Sequence, residues 1–252
     1  MLRVTPFLLR YTNMEPTEFR TDVIRPIECA KEAWALIKPN YWLVFAMCLL
    51  GIWLSGVTLD FLLGSMVCGI FYALLKVVDG KMPEFSDLWK GLAFFIPGAI
   101  VTLFIAVPIL IVYAIIYGPI FYAVYLNPSM SDKEFAALLT SGLLLDSIVL
   151  VGMVCFHTLL LFAFPLIVDR GLGPMAAILT SAKAVWSNLS GVSRLIFVQF
   201  VISFVGFAMV CFGIYLVIPL IFASNAVAYR KVFPAMNIPN LNPPPPNAYS
   251  GL

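Results

Sequence analysis

Charge is what this chain has least of. Only 11% of its 252 residues are Asp, Glu, Lys or Arg, where ordinary globular chains carry about 25%. Fifteen Lys and Arg against thirteen Asp and Glu leave a net charge of +2, which excludes a nucleic-acid binder that works by massed positive charge. So few charges also fail to solvate a disordered chain. Histidine is scarcer still: His157 is the single one, too few for most metal sites. The five cysteines (Cys29, Cys48, Cys68, Cys155, Cys211) form no C-x-x-C pair, so neither a disulfide framework nor a zinc site is expected. The sequence contains no H-E-x-x-H, no P-loop and no G-x-S-x-G elbow, which removes the common hydrolase and nucleotide chemistries. No catalytic residue, cofactor or metal is expected. The segment Met1 to Leu9 is broken by Pro6 and lacks the apolar core of a secretory signal, so the first membrane helix is expected to serve for insertion.

What the chain has is apolar side chain: 62% of residues and a mean hydropathy of +1.00. A helix needs about 20 apolar residues to cross roughly 30 Å of hydrocarbon. Runs of that kind predict an all-α, polytopic helix bundle with six transmembrane helices. They are Tyr41 to Leu59, Phe61 to Val78 after a tight turn at Asp60, Leu92 to Leu126 with kinks expected at Pro97, Pro108 and Pro119, and Leu138 to Val168. The last run, Leu195 to Tyr229, holds 35 residues, roughly 52 Å as one helix, and is divided into two at Cys211-Phe212-Gly213.

Basic residues orient this arrangement. Fourteen of the fifteen fall on one side of the six-span scheme, and only Lys133 falls on the other. Cytoplasmic loops collect Lys and Arg, so the N and C termini are both placed in the cytoplasm. A single final span would strand Arg230 and Lys231 outside. The chain then divides into a cytoplasmic N-terminal segment (1–27), a six-span membrane domain (28–233) and a Pro-rich cytoplasmic tail (234–252). That tail, with its run Pro243 to Pro246, is expected to be a disordered or polyproline segment, with docking to an aromatic-lined groove as the other reading.

Each odd-numbered span follows a short stretch containing a Trp and a Lys: Lys31 with Trp34, Trp89 with Lys90, and Lys183 with Trp186. In the third, Met175, Ile178, Leu179, Ala182, Val185, Trp186 and Leu189 recur at helical spacing, opposite Thr180, Ser181, Lys183, Ser187 and Asn188. This describes an amphipathic helix in the interface, with Trp34, Trp89 and Trp186 as anchors at headgroup depth. Ser86-Asp87 offers an N-cap to the second stretch. Three copies of interfacial helix, outward span and inward span result, although any cytoplasmic loop gathers Trp and Lys. Ser65-x-x-x-Gly69, and likewise Gly51, Gly56, Gly142, Gly152 and Gly206, provide small faces for close helix contact.

Of the acids, only Asp146 lies well inside a span, and His157 is in the same helix. Eleven residues separate them, about 16 Å along the axis, so they form no direct acid–base dyad. Intramembrane ionisable groups are costly and often functional, which suggests a proton or ion path through Asp146 and His157. In the plainer and preferred reading Asp146 hydrogen-bonds a neighbouring Ser or Thr and His157 donates to a carbonyl. Asp169-Arg170 closes the fourth span, either as an ion pair to a neighbouring loop or, as preferred, as a staple for the Gly171-x-Gly173 turn, with Pro174 opening the next helix. Asp79, Glu84 and Asp87 read as solvated or capping residues.

The stretch Pro165-Leu-Ile-Val-Asp-Arg-Gly-Leu-Gly-Pro-Met-Ala-Ala-Ile-Leu-Thr-Ser181, followed by Val217-Ile-Pro-Leu220 and Ala228-Tyr-Arg230, resembles the YciC-type bacterial integral membrane proteins. It is also similar to the membrane domain fused to some glycerophosphodiester phosphodiesterases. The resemblance covers about residues 30–233 and implies an all-helical protein of the bacterial inner membrane; it transfers no catalytic residue. The expectation is a non-enzymatic multi-pass protein whose partners are the lipid bilayer and other membrane proteins or further copies of itself, with no nucleic acid. The rival is a small transporter or channel.

Overall fold

The computed structural model describes residues 17–126, 131–209 and 213–235, and among these there are helices and connecting turns but no strand. Nine α-helices follow one another: α1 Pro26–Ile37, α2 Tyr41–Val57, α3 Leu63–Val78, α4 Phe95–Leu126, α5 Asp132–Leu159, α6 Ala163–Arg170, α7 Pro174–Ser187, α8 Leu189–Ala208 and α9 Gly213–Val232. A 3-10 segment, Phe85–Phe94, precedes α4. Among the described residues five helical stretches are long and apolar enough to cross a membrane: Pro26–Val57, Phe85–Leu126, Lys133–Arg170, Leu189–Ala208 and Gly213–Val232. The second expected span is shorter. It forms the 16-residue α3, about 24 Å long, because Phe61 and Leu62, although apolar, belong to the turn. Leu59 and Asp60 there adopt left-handed φ values of 50° and 63°.

The final apolar run does divide, into α8 and α9, with the join at 210–212 outside the described residues. Through Pro108 and Pro119, α4 continues without interruption. The fourth expected span starts six residues early and breaks near its end. Ser131 and Glu134 form a reciprocal cap that begins α5 at Asp132, satisfying donors an apolar start would leave open. At Leu160–Phe162 the helix stops and restarts as α6. Pro165 has no N–H for the Leu161 carbonyl and its ring crowds the preceding turn. Two further backbone groups opened by the break are taken up by one buried side chain from α7: the Ser181 hydroxyl donates to the Leu159 carbonyl (2.7 Å) and accepts the Phe162 N–H (3.0 Å). Broken helices at membrane depth persist only where neighbours supply such partners. Replacing Ser181 with Ala should therefore cost about 1–3 kcal/mol, read as a lower thermal midpoint in detergent; an unchanged midpoint would refute this role.

Burial is concentrated on one side of the molecule. The core holds α3, the inner face of α1 (Cys29, Ala33, Ile37), α6, α7 and the end of α9. Phe162, Tyr229 and Phe233 are fully buried and pack ring on ring, with Phe19 of the N-terminal segment against Phe233. The 3-10 segment lies backbone to backbone on α3: a side chain at Gly91 would meet the Ser65 carbonyl, and one at Gly69 the Leu88 carbonyl. The small face Ser65-x-x-x-Gly69 thus receives this segment. Gly56 and Gly152, by contrast, have no neighbour within 4 Å and hold no helix contact here. Away from the core, α4, α5 and α8 present large apolar side chains outward, such as Leu110 (67% exposed), Ile148 (70%) and Phe200 (65%). Apolar surface this continuous belongs in lipid or against a partner.

The amphipathic reading of α7 holds only in part. Ile178 and Val185 are buried and Lys183 and Ser187 exposed, as read, but Thr180, Ser181 and Asn188 of the polar side are also buried and Met175, Leu179 and Trp186 of the apolar side are exposed. Small residues beside Ile178 and Val185 allow α7 to press against α5 and α6.

Candidate functional site

The densest polar constellation joins the C-terminal ends of three helices. Asp79 caps α3, Asp169 is the penultimate residue of α6, and Tyr229 and Arg230 lie in the last turn of α9. The Arg230 guanidinium donates to both oxygens of Asp169, each at 2.9 Å, and to Asp79 Oδ2 at 2.8 Å. The fully buried Tyr229 hydroxyl donates to Asp169 Oδ2 at 2.8 Å. This planar fork is geometry that Arg provides and Lys does not. Nearby, Arg170 donates to the Pro234 carbonyl (2.9 Å) and stacks over Phe233 (5.3 Å).

A second knot adjoins the first along α3. Asp87, wholly buried, accepts from Lys76 Nζ and Lys90 Nζ, both at 2.7 Å, and from the Glu84 N–H at 2.8 Å. Lys76 and Asp79 are three residues apart on one helix, so they share a face and tie the two knots together. A third tie, Lys231 to Glu32 at 2.8 Å, fastens α9 to α1.

Several expectations change here. Asp169 and Arg170 do not staple their own turn; their principal partners are 61 and 64 residues away, on α9 and just after it. The turn needs no staple, because Gly171 adopts φ 62° and caps α6 while Gly173 and Pro174 start α7. Asp87 caps its segment as expected but is not solvated, and the N-cap is Glu84 rather than Ser86. Asp79, also read as a solvated or capping residue, occupies the C-cap of α3 but pairs with Arg230 rather than standing in solvent.

Burial pushes the Asp79 carboxyl above its ordinary range, the Arg230 charge pulling it back and Asp169 pushing it further up. A carboxyl that holds its proton more tightly folded than unfolded contributes stability that is lost as pH rises through its folded pKa. The stability advantage of the native chain over Asp79→Asn should therefore be greatest near pH 4, about the unfolded value, and shrink as pH rises. Thermal midpoints of both proteins across this range provide the test, and an advantage that grows with pH would refute it.

Asp146 and His157 are not brought together. Asp146 lies beside Tyr117 of α4, not a Ser or Thr, and its Oδ1 is buried with no hydrogen-bond partner. His157 Nδ1 lies 3.0 Å from the Met153 carbonyl of its own helix. Two surface grooves, one lined by Leu159, Ala182, Lys183, Trp186 and Ser187 and one by Asp22, Ile24, Asn188, Ser190, Gly191 and Arg194, include neither residue. Trp34, Trp89 and Trp186 are all exposed, each on the segment before an odd-numbered expected span. Among the described residues no three His, Cys, Asp or Glu are grouped to hold a metal ion.

Sequence reasoning missed the Asp79–Arg230–Asp169 fork. Its only trace was Ala228-Tyr-Arg230 and Asp169-Arg170 inside the stretches quoted for the YciC-type resemblance. Comparison with known protein families, curated proteins and solved structures finds no match for this chain.

Proposed function

We propose that the chain is a multi-pass protein of the bacterial inner membrane that performs no chemistry of its own and organises other membrane components. The observation that carries this reading is the division of the molecule. The ends of α3, α6 and α9 are locked by the Asp79–Asp169–Arg230 fork and its neighbours, while α4, α5 and α8 leave most of their large apolar side chains exposed. A rigid base carrying helices with exposed apolar faces is suited to holding neighbours. The YciC-type resemblance points the same way.

Six crossings with both termini in the cytoplasm fit the fork. It gathers the C-terminal ends of α3, α6 and α9, which close the second, fourth and sixth spans of the scheme, on the side where fourteen of fifteen basic residues fall. The transporter reading has less support, because the polar groups of α5 are spaced along one helix and His157 is engaged by its own backbone.

Photo-activatable residues at Leu110, Ile148 and Phe200, with a reporter fused after Asn247, test both parts in the native membrane. A discrete protein adduct from at least one helix and a cytoplasmic reporter are expected. Lipid adducts alone from all three positions would overturn the organising role, and an external reporter would overturn the topology.

A further inference from the structure

The outward face of α7 combines features that water would not favour. Met175, Leu179 and Trp186 are 56%, 54% and 70% exposed and follow one another at helical spacing. Lys183 stands between Leu179 and Trp186 on that face, four residues after one and three before the other. It is exposed and makes no ion pair or hydrogen bond among the described residues. In the preceding interfacial stretch, by contrast, Lys90, next to Trp89, is held by Asp87 at 2.7 Å. Beside Lys183 runs an open groove of about 340 Å³ lined by Leu159, Ala182, Lys183, Trp186 and Ser187. Its wall at Leu159 is the point where α5 breaks off before α6.

We infer that this groove holds an anionic phospholipid, with the phosphodiester against the Lys183 ammonium and an acyl chain along Leu159 and Ala182. The charge argument decides the class of lipid. A lysine with no carboxylate, set among apolar side chains, extends its amine to headgroup depth, where a net negative headgroup neutralises it and a zwitterionic one does not. Trp186 supplies an indole suited to the same depth, and the Ser187 hydroxyl is a second donor to phosphate. The inference concerns lipid alone and stands whether or not α4, α5 and α8 hold protein partners.

Native mass spectrometry of the full chain, released from detergent in the presence of phosphatidylglycerol or phosphatidylcholine, tests it. The native protein should retain phosphatidylglycerol about five-fold over phosphatidylcholine, the factor one basic residue contributes near an anionic surface. Lys183→Gln should bring the ratio near one, Lys183→Arg should preserve it, and Lys31→Gln, an exposed lysine outside the groove, should leave it unchanged. Ala182→Phe fills the groove without altering charge and should also abolish retention. Equal retention by Lys183→Gln and native protein would overturn the inference. So would an equal loss in Lys31→Gln, or displacement of the lipid by millimolar inorganic phosphate, which would make the site one for a free anion.

Discussion

Replacing Arg230 with Ala is expected to destabilise the protein by about 3–5 kcal/mol, the range for removing one partner of a buried ion pair. The reason is what remains. Asp169 and Asp79 lose the guanidinium that holds them, and both are largely shielded, with side chains 17% and 25% exposed. Two carboxylates and the Tyr229 hydroxyl would then share one desolvated space, with only the longer contact of Arg170 Nε to Asp169 Oδ2, 3.9 Å, to offset the charge. Arg230→Lys retains the charge but cannot bond both oxygens of Asp169 and Asp79 at once, so it should fall between. The measurement is the thermal midpoint and the monodisperse fraction after extraction, in the order native, Lys, Ala. Equal behaviour of Lys and Ala would mean that charge contributes nothing, and a native-like Ala variant would remove the fork from the account of stability.

Gly91→Ala should be comparably severe, at about 3 kcal/mol, the upper part of the range for overpacking. A methyl group there would meet the Ser65 carbonyl and lie 2.8 Å from the Gly69 Cα. These are backbone atoms of α3, which no rotamer change relieves, so the 3-10 segment must move. Moving it draws Leu88 and Asp87, both fully buried, away from their partners. Gly56→Ala is the matched control: it lies in α2 with no atom within 4 Å, and it should be neutral or gain up to about 1 kcal/mol from helix propensity. Thermal midpoints of the two variants side by side decide the matter, and similar values would mean that the close approach has no energetic consequence.

Hydropathy located the helices well because a span must be apolar along its whole length, and so it also placed the Trp-bearing segments between them. It failed where apolar residues do something other than extend a helix. Phe61 and Leu62 turn the chain before α3, and Leu160 to Phe162 interrupt α5 and α6 ahead of Pro165; neither alters an apolar profile. The faces of α7 were misplaced in part for a related reason. Polarity alone did not choose its inner side, which takes Thr180, Ser181 and Ala184 together with Ile178 and Val185 and leaves Leu179 outside. The polar constellation was hidden by distance, since Asp79 and Arg230 are 151 residues apart and nothing local marks them as partners. Asp146 and His157 attracted attention because they stand alone in an apolar run, whereas the ion pairs that join helices lie at the ends of runs, where charge is ordinary.

The pairing of α1 with α9 has a consequence for biosynthesis. Glu32 meets Lys231, and the Arg20 N–H donates to the Val232 carbonyl at 2.9 Å, so contacts of α1 involve a helix translated long after it. At about 5–20 residues per second, roughly 10–40 s separate their emergence from the ribosome. Throughout that interval α1 carries Cys29, Ala33 and Ile37 toward a neighbour not yet made. The early helices must therefore insert and wait as a partial assembly, one that an insertase or chaperone has time to bind, and the core cannot close until α9 is made.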